Sequence, residues 1–358
     1  MRRALILALG TALAAAPFAL STATAGEAKA VAAYKTPRTS FGQPDLGGYW
    51  TNATLTPLMR PAKYGERAVF TPEEVKKMEA AVEKEIADGN APTDPDAPVD
   101  VEAPRSTDVR PEFLAAGGDV GGYNRGWLDP GSTVMRVHGE PRTSLITTPN
   151  GLPPKRKDGA PAPERRRGGL GSFDSYETRS LGERCIIGFG RNAGPPMFPN
   201  GFYNNDYQIV QTPDSVIINV EMVHDARIIR LNAKHRPDDV RPWMGDSIGW
   251  WDGETLVVET TNIPEAQQFF GSWKNLKVTE RFKRVAKDRL YYQFTVEDPT
   301  MWDAAWGGEY EFSPMNGIIY EYACHEGNYA LPGMLAGARA EEAEKAQEAA
   351  AAKGASQP

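Results

Sequence analysis

The second half of the chain predicts a mainly β fold, an antiparallel sheet closed into a barrel, with a β-sandwich as the alternative. Three observations carry this. Short runs rich in Val, Ile, Tyr, Phe and Thr recur and alternate with polar residues. The breaks between them are turn signals: Thr212-Pro213-Asp214-Ser215, Asp252-Gly253-Glu254, Lys287-Asp288 and Met315-Asn316-Gly317. No long helical pattern intervenes, so neighbouring strands pair through short connections.

Residues 26–44 are Ala/Lys-rich and read as a flexible leader. Asp45 to Thr51 reads as a turn into a first strand, and Pro57, Pro61 and Gly65 make the next stretch a loop. Thr71-Pro72-Glu73-Glu74 starts a helix, with a Thr cap, Pro at the first helical position and Glu three residues after the cap. Val75, Met78, Val82 and Ile86 keep helical spacing to about Ala87. Residues 90–115 are Asp/Pro-rich and irregular. Residues 149–171 hold Pro, Gly and a basic block (Lys155-Arg156-Lys157, Arg165-Arg166-Arg167) that reads as a solvated loop, because no aromatic residues interleave with it. Strands follow at 207–210, 216–223, 228–231, 256–261, 276–285 and 290–296. Arg241 to Ser247 reads as a lid or crossing loop. After Gly333 an Ala/Glu/Lys-rich run predicts a solvated helix to Lys353 and a disordered end. The layout is a signal peptide at 1–25, one barrel domain over 45–332 whose N-terminal part wraps it and contributes one helix, and a tail over 333–358.

Arg2 and Arg3, an uncharged apolar run from Ala4 to about Leu20, and Ala23-Thr24-Ala25 have the order of a secretory signal peptide. This predicts a periplasmic or secreted protein, with no integral membrane segment after cleavage. The 358 residues carry a net charge of −7, against the basic footprint of a nucleic-acid binder. Two cysteines exclude a disulfide-dense scaffold. In an oxidising compartment Cys185 and Cys324 are expected to pair. The alternative is a thiol nucleophile beside His325, but adjacent strand residues point to opposite faces.

Alternation assigns an interior. Leu276, Val278, Glu280 and Phe282 share one face; Leu290, Tyr292, Phe294 and Val296 share another; His224 continues the face of Val216, Ile218, Val220 and Met222. Glu259 is expected inward with Val257 and Thr261. Buried carboxylates need partners, and Arg227 and Arg281 are the local cations. An apolar interior with polar intruders describes a ligand-holding barrel. His224-Asp225 and His325-Glu326 each join an imidazole to an acid at the end of a strand-like run, which suits general acid–base chemistry. Two His and a carboxylate also suit a metal, but no metal-binding spacing is present, and neither metal nor cofactor is assigned. His138 and His235 lie in loop-like contexts and are set aside. Trp243, Trp250, Trp251, Trp273, Trp302 and Trp306 fall within one stretch, and a mouth lined by Trp250, Trp302 and Tyr292 would suit a flat apolar ligand or a sugar ring. Asp246 is a candidate site acid. No nucleophile elbow, phosphate loop or S-x-x-K motif appears.

Several strings together carry a resemblance: Tyr203-Asn204-Asn205-Asp206-Tyr207-Gln208-Ile209-Val210-Gln211-Thr212, His224-Asp225-Ala226-Arg227-Ile228-Ile229, Gly245-Asp246-Ser247, Trp251 to Asn262, and Tyr320 to Tyr329. They resemble a widespread group of secreted bacterial proteins of unknown function, whose look is similar to lipocalin-like (calycin) barrels. The resemblance implies the fold and the compartment and no activity.

The residues thus predict a barrel enzyme performing hydration, elimination or isomerisation, of lyase or isomerase type, on a small apolar or cyclic molecule. His224 would be the base, assisted by Asp225, with Arg227 steadying negative charge and His325-Glu326 as a second pair. The alternatives are a non-catalytic carrier of a hydrophobic ligand, and a metal-dependent hydrolase or oxygenase using His224 and His325.

Overall fold

A computed structural model describes residues 34–89, 129, 131–160, 173, 175–188, 194–198, 203 and 206–355. The expected signal peptide, the Asp/Pro-rich stretch 90–115 and Arg165-Arg166-Arg167 lie outside them.

Nine strands of the described residues close a barrel: β1 (Gly48–Thr51), β4 (Asp206–Gln211), β5 (Ser215–Val220), β6 (Ala226–Leu231), β7 (Asp246–Asp252), β8 (Thr255–Thr261), β9 (Lys277–Ala286), β10 (Arg289–Glu297) and β11 (Trp306–Pro314). The pair β2 (Arg136–Val137) and β3 (Glu140–Pro141) forms a separate hairpin. Closure is made by β1, which pairs with β11 on one side and β4 on the other. Closing the sheet removes its edges. The fold is therefore mainly β and mostly antiparallel, as expected, with nine strands where lipocalins have eight.

One pair departs from the expectation: β6 and β7 run parallel, with Ile229 opposite Ser247. A parallel neighbour needs a long crossover, supplied by residues 232–245. Asn262 holds this crossover by donating to the carbonyls of Arg236, Pro237 and Val240.

Inward positions alternate as the pleat requires. Tyr207, Ile218, Ile229, Phe282, Tyr292, Phe294, Tyr310 and Phe312 are all buried, and the rings interlock, with Tyr292 and Tyr310 centroids 4.7 Å apart. β11 was not anticipated because it opens Trp306-Gly307-Gly308. Those glycines are required: a Cβ at 307 would lie 2.0 Å from the Phe294 carbonyl oxygen, and one at 308 would lie 2.6 Å from the Leu145 carbonyl oxygen. β7 is a full strand that the strand reading omits, and its first residues, Asp246 and Ser247, fall in the stretch read as a lid or crossing loop.

Two expected strand ends are corrected. β5 stops at Val220, and Val223 and His224 both take left-handed backbone (φ 59° and 45°). Residues 318–323 hold no strand, so Cys324 and His325 lie in a turn rather than at a strand end. The helix α1 (Pro72–Gly89) begins as expected: Thr71 Oγ1 accepts from Glu74 N at 3.2 Å and Glu74 Oε2 accepts from Thr71 N at 2.8 Å. Val75 packs it against Phe70 and Val134 in a small cluster outside the barrel. The ordered chain also reaches further back than the leader expectation: Thr36 is buried and donates to the Arg284 carbonyl at 3.2 Å, and Gln43 Nε2 donates to the Pro213 carbonyl at 2.9 Å. A C-terminal helix, α2 (Ala330–Ala355), follows. Cys185 and Cys324 form a disulfide, Cα atoms 5.7 Å apart. It ties the segment that leads into β4 to the segment after β11, and Asn328 Nδ2 adds a bond to the Glu183 carbonyl at 2.8 Å. Among the described residues no helix is long and apolar enough to cross a membrane.

Candidate functional site

The barrel interior contains a charged centre. Arg227 on β6 is 1% exposed and Glu280 on β9 0%. Their side chains form a bidentate pair, with Nη1 donating to Oε1 at 3.0 Å and Nη2 to Oε2 more closely. Arg227 also donates to Ser247 Oγ and Thr260 Oγ1, each at 3.1 Å. Alternation puts Glu280 inside and leaves Arg227 and Arg281 as the local cations; the structure pairs Glu280 with Arg227, and Arg281 with Asp252. A guanidinium so fully engaged is structural: removing one partner of a buried pair leaves an uncompensated charge. Four of its five N–H donors are spent on Glu280, Ser247 and Thr260.

From Glu280 a chain of polar contacts crosses the interior. Tyr292 OH donates to Glu280 Oε1 at 2.8 Å and accepts from the Met197 N–H at 2.9 Å. Tyr310 OH donates to the Met197 carbonyl at 3.0 Å, and Asn52 Nδ2 donates to both Tyr310 OH and Tyr207 OH at 3.2 Å. Burial raises the Tyr292 and Tyr310 hydroxyls well above the usual range, for Tyr292 with help from the Glu280 charge, so both stay protonated donors. Residues 194–198 are all buried, and tyrosines from two strands fix the Met197 backbone. Tyr292 thus anchors an internal segment.

One end of the barrel gathers the remaining chemistry. The start of β4, the β5–β6 turn, the β8–β9 loop and the β10–β11 loop all open there. On one side stand Asp206, Glu221, His224 and Asp225. Burial and the neighbouring Glu221 charge push Asp206 up to about 7, against a hydrogen bond from Thr51. Burial pushes Asp225 up to about 6, opposed by the His224 imidazole. Glu221 is buried and accepts the Tyr320 N–H at 2.7 Å. His224 itself is exposed, contrary to its expected place on the inner face. Left-handed backbone at a β-branched residue such as Val223 is uncommon and strained, and such strain concentrates at functional sites.

On the other side stand aromatic residues. Phe269 stacks between Phe198 (5.4 Å) and Trp306 (5.6 Å), and Trp302 meets Trp306 edge-on at 5.5 Å. Phe269 and Ser272 bridge each other, so Phe270 and Gly271 form the centre of a tight turn with φ of 48° and 85°. Asp298 holds this turn through Ser272 Oγ and holds the Trp302 turn by accepting the Trp302 N–H on its carbonyl at 3.0 Å. Trp302 is buried here, as a wall rather than a free surface.

Other expected site residues lie elsewhere. Glu259 faces outward: its neighbours Val258 and Thr260 point in, and Val257, though outward, is buried. Both faces of β8 are covered here, so the apolar run Leu256-Val257-Val258 hides the parity. Asp246 and Glu259 instead receive His235 from the crossover, at 2.9 Å to Nδ1 and 3.1 Å to Nε2. Asp246 also takes bonds from Arg230 at 2.7 Å and from the Arg236 N–H at 2.9 Å. Burial alone would raise the Asp246 carboxyl; the Arg236 N–H, His235 and Arg230 outweigh it and hold it low. His235, set aside as a loop residue, is therefore the histidine most engaged with acids, and it clamps the crossover. Trp250 lies on the outer face, 39% exposed. His325 and Glu326 are exposed in the turn after Cys324, and no hydrogen bond or ion pair joins them to His224. Among the described residues no three His, Cys, Asp or Glu side chains converge as a metal site, and no metal-dependent step is derived.

No protein-family model matches the chain, and no curated protein matches it in sequence. Among solved structures, a mutant of the fluorescent protein UnaG is similar over 31% of this chain and 72% of its own, at 16% identity and a TM-score of 0.21. A likeness that slight carries no argument, and the barrel stands on its own strand pairing.

Proposed function

We propose that the protein is an exported barrel that binds a small, largely apolar or cyclic molecule at the end bearing Asp206, Asp225 and the Phe269–Ser272 turn, and moves a proton there. The observation that carries this is the pair of half-buried carboxylates pushed to about 7 and about 6. A general acid or base works best with a pKa near the working pH. One carboxyl, held protonated, donates to the substrate while the other, ionised, accepts; hydration, elimination and isomerisation all need that exchange. His224 is the solvent-side base that reloads Asp225. His325 and Glu326 belong to the segment whose Tyr320 N–H reaches Glu221 and are the second pair at this rim. Export is supported by the N-terminal pattern and by the disulfide, which persists in oxidising compartments. A carrier without chemistry is the second reading, since the aromatic side alone needs only a ligand.

The test is a carboxyl-carbon NMR titration of the mature protein. Midpoints near 7 for Asp206 and 6 for Asp225 are expected, with the Asp225 midpoint rising in His224→Ala. Both residues titrating near 4 would remove the acid–base role and leave the carrier.

A further inference from the structure

We propose that the aromatic side of this barrel end binds a neutral planar ring bearing a hydrogen-bond acceptor, such as an aromatic carbonyl, with Trp306 Nε1–H as the donor and Phe270 as the stacking surface. The proposal rests on the barrel end being the ligand site and names the ligand's class.

Trp306 is 4% exposed, yet its indole N–H has no acceptor among the described residues. Buried donors are nearly always satisfied, and one that is not needs an explanation. Its surroundings are rings: Phe269 at 5.6 Å, Phe270 at 5.7 Å and Trp302 at 5.5 Å. An edge-on ring is at best a weak acceptor. A ligand carbonyl would complete the donor once a neighbouring ring, the exposed Phe270 being the nearest to solvent, moves aside to open the buried N–H.

Phe270 is the independent observation. In a two-residue turn with both central φ values positive, the first position favours Asn, Asp or Gly. Here it is Phe, with its ring 40% exposed and lying 4.7 Å from Phe269. Asn would suit the turn better and would expose no apolar ring. The turn is pinned by the buried Ser272–Asp298 bond, and the ring rests against Phe269 and Trp306 before anything binds. Binding would then cover an aromatic face already in position.

Charge selects a neutral acceptor. Among the described residues no Lys or Arg lies over the faces of these rings, and Lys157 beside the Trp302 turn is already bonded to the Pro299 carbonyl and to Asp303, while Asp206, Glu221 and Asp225 belong to the same barrel end. An anion would meet repulsion from these acids and a lysine already paired with Asp303.

Equilibrium dialysis of the full mature protein with coumarin and with naphthalene separates the contributions, since only coumarin carries a carbonyl. Coumarin is expected to bind about tenfold more tightly, the worth of one hydrogen bond. Trp306→Phe should erase that preference and leave naphthalene binding within about twofold. Phe270→Asn, which suits the turn and keeps the fold, should weaken both probes about tenfold. Equal binding of the two probes, or a preference that survives Trp306→Phe, would overturn the proposal while leaving the barrel end as the ligand site. Failure of both probes to bind would overturn the proposal together with the ligand site it rests on.

Discussion

Replacing Glu280 by Gln tests whether the charged centre holds the barrel through its pairing. Gln keeps the shape and one acceptor oxygen but removes the charge. Arg227, 1% exposed, would keep its bonds to Ser247 and Thr260 and lose its only buried counter-ion. Breaking a buried pair from one side costs about 3–5 kcal/mol. Tyr292 would also lose a carboxylate acceptor at 2.8 Å, within the same range. For a domain of this size that is a fall in Tm of roughly 5–8 °C. Urea unfolding followed by far-UV circular dichroism should show the midpoint falling with an unchanged slope. The double variant Arg227→Met/Glu280→Leu should cost far less than the two single changes added together, because neither charge is then stranded. A loss below about 1 kcal/mol for Glu280→Gln, or additivity in the double variant, would refute the pairing as the source of stability.

Three further outcomes follow. Replacing Cys185 and Cys324 by Ala opens a loop with a sequence separation of 139; chain entropy gives a loss of about 5 kcal/mol as an upper figure, read by thermal unfolding, and no loss would show that the segments are held without the bond. Asp206 is an acid raised from 3.8 to about 7, so its contribution to stability is present below pH 4 and is lost as pH rises through 7. Asp206→Asn should therefore stabilise the protein at pH 8 by about 1–3 kcal/mol, after allowance for screening, and leave it unchanged at pH 4; denaturant melts at the two pH values check this, and the same change at both would contradict it. Mass spectrometry of the exported protein should give a mature chain beginning at Gly26, and an intact N-terminus would contradict cleavage after Ala25.

Much of the barrel was legible because most of its strands keep one face wet. Lys277, Thr279, Arg281 and Lys283 alternate with Leu276, Val278, Glu280 and Phe282, and that contrast placed Glu280 inside. The same rule failed for Glu259, because Val257 on the outer face of β8 is buried as well. β11 was hidden by two glycines that close contacts demand. His224 followed the apolar run of β5 on paper, but two consecutive left-handed residues turn it out to solvent. Nothing in the local sequence marks His235, because its partners on β7 and β8 reach it only through the crossover. The pair of near-neutral carboxylates was half visible: Asp225 stands out by its adjacency to His224, whereas Asp206 depends on burial and on Glu221 across the β4–β5 pair.

The central claim is that the ligand sits at the barrel end where those acids and the aromatic turn open. Backbone amide NMR of the mature protein titrated with naphthalene tests it most directly. Shifts should concentrate at Asp206, Val223 to Asp225, Phe269 to Ser272 and Trp302. Shifts confined to the opposite end, around Thr212 to Ser215, Asp252 to Glu254 and Lys287 to Arg289, would contradict it.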